Sequence, residues 1–256
     1  MLRLSWLGYS GSEACLFRRG RLLKVPLIDP TIPQCAIRPC ALAQGRDVSM
    51  VKSNQVFAYG SLVNSRAQPA GVRTEPGILH GWIRQWMHCV ETSNGRVCVL
   101  TIVRRPKAKL LGLILINDDQ KLANLDDREI GYSRVRVSVR PSSWPRGPKT
   151  LSCFAYVGDT PHHRPGSLEF PIWRSYLDCV LSGYLELGGA QAVERFIAST
   201  EGWESPILDD RAQPRYPRAI NLRSDEQDTI DGVLTRSGLL RNLVTANEEK
   251  SPRRKS

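Results

Sequence analysis

The chain has 256 residues, a net charge of +11, 41% hydrophobic and 24% charged residues, and seven cysteines. That length suits one sizeable core with extensions, and the apolar fraction is that of a soluble globular domain. No run of about 18 apolar residues occurs, so no helical membrane span is expected. The cysteines (Cys15, Cys35, Cys40, Cys89, Cys98, Cys153 and Cys179) are odd in number and scattered, with no C-x-x-C pair. They point to a reducing cytoplasm, with no metal site and no cofactor expected. Five of the eleven excess positive charges lie in residues 1–55 and three in 241–256, which leaves the body mildly basic. Solvated ends account for that excess, so nucleic acid is not an expected partner.

In chain order, residues 1–49 show no helical or alternating period and are expected to be an unstructured extension. Met50 is the expected biological start, with a domain over 50–222 and a C-terminal helix and partly disordered tail over 223–256. The first strand is "VFAYGS" (Val56–Ser61), and it turns at Tyr59-Gly60-Ser61-Leu62. A Gly between Tyr and Ser leaves backbone N–H groups beside two hydroxyls, a small cradle for an anionic or carbonyl-bearing ligand. A polar stretch, Asn64–Glu75, follows. Strands are then expected at Ile78–Val90, Val97–Arg105 and Leu110–Asn117. Asp118 or Asp119 begins a helix to about Asp127. Strands at Tyr132–Arg140 and Thr150–Gly158 precede two helices, Pro171–Leu187 and Ala190–Ser199. The segment from Gly202, punctuated by Pro and Arg, carries no period. The class is α+β: a curved or closed mixed β-sheet, barrel-like, with flanking helices.

Leu122, Leu125 and Glu129 are spaced three and four apart, on one helix face. That face turns inward, so Glu129 is either a desolvated base or a partner of Arg128, Arg134 or Arg136. A serine-nucleophile reading would need Ser61 with His80, His88, His162 or His163, and no G-x-S-x-G elbow is present. A metal site from Asp126, Asp127 and Glu129 fails because adjacent helical residues diverge. A basic face from Arg104-Arg105, the Arg134, Arg136 and Arg140 row and the "RYPR" stretch around Tyr216 (Arg215 and Arg218) is the alternative, a binding module for nucleic acid or a partner on an inactive fold. Arg84, between Trp82 and Trp86 on an alternating strand, is a further candidate to line the cavity.

The strand ending Tyr-Gly-Ser-Leu, the Gly-Trp-x-Arg-x-Trp strand and "LDDREIGYSRVRV" occur in that order. This combination resembles the γ-glutamyl cyclotransferase-like family, including its ChaC-like glutathione-degrading branch, over roughly Val56–Gly158. The resemblance implies a cytoplasmic enzyme that converts a small γ-glutamyl substrate into 5-oxoproline and an amine or amino acid, without metal or nucleotide. It makes Glu129 the catalytic base and Tyr59, Gly60, Ser61 and Leu62 the substrate-binding turn, with Tyr132 and Tyr156 lining the same cavity. The stretch Leu62-Val63-Asn64, where the better-known branches carry another pair after the turn, and the segment from Gly202 to Leu222 depart from those branches, which leaves the leaving group open.

Overall fold

Two long apolar stretches joined by Ser93-Asn94 form the spine of the fold. In the computed structural model, which describes residues 13–18, 21–26, 54–117, 119–129, 131–142 and 150–245, the chain divides into two units, Met1–Ser49 and Met50–Ser256. The first contains an antiparallel hairpin of β1 (Glu13–Arg18) and β2 (Arg21–Pro26), with Phe17 opposite Leu22. It falls inside the stretch expected to lack structure. Its apolar residues sit side by side (Leu16-Phe17, Leu22-Leu23) rather than alternating, so a period-two reading passes over it. The expected start at Met50 and the tail from residue 246 lie outside the described residues.

In the second unit, β3 (Asn54–Ala58) is followed by β4 (Arg73–Thr92) and β5 (Gly95–Asn117). The last two pair antiparallel through a two-residue loop closed by Thr92 and Gly95. The runs Val97–Arg105 and Leu110–Asn117, read as separate strands, are one strand with a bulge between them. His80 pairs with Lys109 and Trp82 with Arg104. Pro106 sits in the excursion, where no ladder bond is lost, and Gly81 and Lys107 have positive φ values of 78° and 71°. Helix α1 (Asp119–Arg128) leads to β6 (Tyr132–Pro141), which pairs antiparallel with β7 (Leu151–Gly158). The strand order is β5-β3-β7-β6-β4, and the β4–β5 pairing closes it into a five-stranded mixed barrel. This is the expected α+β architecture with flanking helices.

Helix α2 (Arg174–Ala198) is interrupted at Gly188 and Gly189, the latter at φ 65°, so it bends where two helices were expected. Every residue from Arg174 to Tyr184 is buried. Its N-terminus is capped from outside: the Asp210 carboxylate accepts from the Ser175 N–H at 2.7 Å and the Ser175 hydroxyl at 2.6 Å. Helix α3 (Ser224–Arg236) packs on α2 through charge. Arg174 donates to Asp178 at 2.9 Å and to Asp231, while Arg211 donates to Asp178 at 2.6 Å and to Asp231 at 2.8 Å. Among the described residues, no helix is long and apolar enough to cross a membrane.

Gly183 sets the distance between α2 and the chain after β3. A Cβ there would stand 2.5 Å from the Asn64 backbone nitrogen and 2.8 Å from the Val63 carbonyl carbon. No other residue type permits that approach. The Asn64 side chain secures the same contact by donating to the Cys179 carbonyl at 2.8 Å. The Tyr-Gly-Ser-Leu turn is therefore clamped between the barrel and the buried half of α2.

Candidate active site

The strand β3 ends at Ala58, and Ser61–Val63 form a single turn of 3-10 helix. Its own bonds run from the Val63 N–H to Gly60 O at 3.0 Å and from the Asn64 N–H to Ser61 O at 3.1 Å. The N–H groups of Ser61 and Leu62 come before these and lie outside the turn's bonding. Gly60 admits a close neighbour, since a Cβ there would be 3.3 Å from the Tyr176 hydroxyl.

Across from this turn, Glu129 follows the last residue of α1, its N–H still bonded to Leu125 O at 3.0 Å. Leu125 is buried, which turns this face inward as its spacing requires. Gly131, at φ 81°, reverses the chain so that the Tyr132 N–H reaches Glu129 O at 3.2 Å. Glu129, the Tyr59–Leu62 turn, Tyr132 and Tyr156 line one cavity of about 40 Å³ together with Leu100 and Tyr176. That is room for roughly three waters. Burial pushes the Glu129 carboxyl above its ordinary range, and the guanidinium groups of Arg128 and Arg218 oppose the shift without cancelling it.

Arg128 answers the alternative posed for Glu129: the two form an ion pair with Nε 3.2 Å from Oε1, at 11% and 19% side-chain exposure. The pairing and the position in the cavity coexist. Arg128 also donates through Nη1 to Ala67 O at 2.7 Å and through Nη2 to Ser61 Oγ at 3.2 Å. The Tyr216 hydroxyl donates to the same Ser61 Oγ at 2.8 Å. With both lone pairs engaged, Ser61 keeps only its proton to offer, and so faces the cavity as a hydrogen-bond donor.

The tyrosines are held by the barrel itself. Tyr59 donates to Tyr156 O at 2.5 Å, Tyr132 to Leu100 O at 2.7 Å, and Tyr156 to Asp126 at 2.8 Å. Burial raises the pKa of each, so all three stay neutral. His88 packs against Tyr132 with ring centroids 4.2 Å apart. Burial, with His162 nearby, lowers its pKa to about 4, which makes it a neutral wedge behind the cavity wall.

Several expectations change. Arg84 does point inward with Trp82 and Trp86, but its donors are spent on Tyr184, Thr200, Ser199 and Leu111 O. It is a structural tie beneath the site and does not line the cavity. Ser61 hydrogen-bonds Arg128 and Tyr216, and no histidine approaches it among the described contacts, so the serine-nucleophile reading lacks its base. Arg134 and Arg136 do share a sheet face; both lie over Phe154, and Arg134 pairs with Asp126 at 3.2 Å. Tyr176 is not singled out from sequence; Arg128 is named there only as an ion-pair partner for Glu129, and Tyr216 and Arg218 only within the basic-face alternative. Tyr216 stacks edge-on to Tyr176 at 5.0 Å and comes from the segment that carries no period.

No protein-family model matches the chain, and no curated protein matches it in sequence. Among solved structures, it is similar to one described as a gamma-glutamyl cyclotransferase, at 16% identity over 70% of this chain and 99% of that one, with a TM-score of 0.48. An uncharacterized protein from Homo sapiens is similar at 17% identity over 70% and 98% of the two chains, with a TM-score of 0.48. A yeast gamma-glutamyl cyclotransferase specific to glutathione is similar at 14% identity over 70% and 96%, with a TM-score of 0.38.

Proposed function

We propose that the protein is an intramolecular cyclotransferase, independent of metal, that releases 5-oxoproline and an amine or amino acid from small γ-glutamyl compounds. The observation that carries this reading is the desolvated carboxylate of Glu129 facing the Tyr59–Leu62 turn across one cavity. The scattered thiols support a cytoplasmic setting.

The α-amino group of the substrate attacks its own side-chain carbonyl carbon. A C–N bond closes the five-membered ring, and the bond to the leaving amine breaks. Glu129 takes the proton from the attacking ammonium and returns one to the departing nitrogen, so no net proton is consumed. Because nucleophile and electrophile share one molecule, the protein has only to fold the substrate onto itself, and effective molarities for such closures are large. The Ser61 hydroxyl and the N–H groups of Ser61 and Leu62 hold the developing oxyanion. Tyr132 and Tyr156 wall the ring in.

The test is release of 5-oxoproline from glutathione, γ-glutamyl-alanine and γ-glutamyl-ε-lysine, with a chelator present. Turnover of at least one compound is expected. Failure on all three, with no binding of any, would sink the reading.

A pH dependence follows from the raised Glu129 pKa. The base must be ionised, so kcat/KM rises with pH through a value above the ordinary Glu range. Stability runs the other way. The folded protein holds a proton that the unfolded chain has already lost, so this contribution is complete below the ordinary Glu value and is lost as pH climbs through the folded one. Rate and melting temperature measured across that window are expected to move in opposite directions.

A further inference from the structure

The segment 211–223 carries four arginines with described side-chain partners or neighbours, and three of them are accounted for. Arg211 is bound to Asp178 and Asp231, Arg223 to Asp225 and Glu226, and Arg215 packs near Gly95. Arg218 is different. It is exposed, its Nε donates to the Tyr216 hydroxyl at 3.3 Å, and its guanidinium carbon lies 5.2 Å from that ring's centroid. No carboxylate among the described residues pairs with it.

Its place is fixed by what holds it. The Tyr216 hydroxyl that accepts from Arg218 donates in turn to Ser61 Oγ at 2.8 Å. Arg218 therefore stands two hydrogen bonds from the turn, at the outer end of a chain that begins in the cavity. Arg128 occupies the inner position, on the other side of Ser61 Oγ. For a substrate whose leaving portion extends from the cavity past Ser61, a cation here meets the group attached to the scissile nitrogen.

We propose that Arg218 is a specificity residue that pairs with a carboxylate on the leaving portion of the substrate. The preferred substrates are then γ-glutamyl-amino acids and γ-glutamyl peptides, ahead of γ-glutamyl amines. This rests on the cyclotransferase reading and names the substrate class within it. The field of Arg218 also reaches Glu129.

The matched pair γ-glutamyl-alanine and γ-glutamyl-ethylamide differ only by that carboxylate. For the wild type, kcat/KM is expected to favour the alanine compound by about two- to fivefold, within the range of a solvent-exposed charge pair. The preference resides in KM and shrinks as salt screens the pair. In Arg218→Gln the ratio falls to about one, and Arg218→Lys restores part of it. Arg218 makes one hydrogen bond and is exposed, and melting curves of both variants identify any loss of fold. Turnover of both compounds with a ratio near one in the wild type, or an unchanged ratio in Arg218→Gln, overturns the proposal and leaves the cyclotransferase standing. Turnover of neither compound by the wild type overturns the proposal, and the cyclotransferase reading falls with it only if glutathione and γ-glutamyl-ε-lysine are neither turned over nor bound.

Discussion

Replacing Glu129 with Gln is expected to cut kcat/KM for 5-oxoproline release by about a thousandfold, within the range that general acid–base groups supply. The amide has nearly the same volume and cannot take a proton from the substrate's ammonium. The turn, the tyrosines and Ser61 remain, so substrate still binds and the loss appears mainly in kcat. At neutral pH the same variant is expected to melt at or above the wild-type temperature. Burial penalises the charged form of the wild-type carboxylate, a desolvation cost that Gln does not incur. One opposing effect is the loss of a partner for Arg128, which sits 3.2 Å away. Nη1 and Nη2 of Arg128 keep Ala67 O and Ser61 Oγ, which limits that penalty. A 5-oxoproline assay with calorimetry on one preparation reads both quantities. Unchanged release in the variant would remove Glu129 from the chemistry.

Replacing Asp178 with Ala is expected to destabilise the fold by about 3 kcal/mol or more, the cost of breaking a buried ion pair by removing one partner. Asp178 is 5% exposed in its side chain and receives both Arg174, at 3%, and Arg211, at 25%. Its loss leaves two guanidinium groups to share Asp231, which is on the more exposed side of the cluster. For a domain of this size the melting temperature should fall by roughly 6–12 °C. Arg211 also begins the segment that carries Tyr216 and Arg218. At temperatures where the variant is still folded, its discrimination between the alanine and ethylamide substrates should weaken as well. Calorimetry and the substrate ratio test the two effects separately.

The parts of the site legible in the sequence are those whose chemistry and local period coincide. Glu129 lies one turn beyond Leu125 on an inward face, and the Tyr59–Leu62 turn interrupts a strand with an unusual Gly. Both features survive without knowledge of distant contacts. Tyr176 was not legible, because on a helix buried from Arg174 to Tyr184 an aromatic facing a cavity has the same spacing as one facing the core. Tyr216 and Arg218 lie in a segment without period, placed by Asp210 and by the Arg211 cluster, and such long-range ties leave no local pattern. Arg84 shows the converse. Alternation correctly gives its direction, but direction alone does not reveal that Tyr184 and Thr200 already occupy its donors. The bulge at Pro106 likewise reads as an end because pairing across β4 is invisible from one strand.

The contact at Gly183 has an evolutionary side. Backbone packed on backbone cannot be traded for a side chain, so the turn and the buried half of α2 must drift together or remain as they are. The segment from 211 to 222 is under no such restraint, since ties through side chains hold it and side chains can be exchanged one at a time. If Arg218 sets the leaving-group preference, descendants of this chain could acquire new preferences by substitution in that segment while inheriting the turn intact. On the proposed reading, chemistry and selectivity fall to separable stretches of the chain, and only one of them is free to explore.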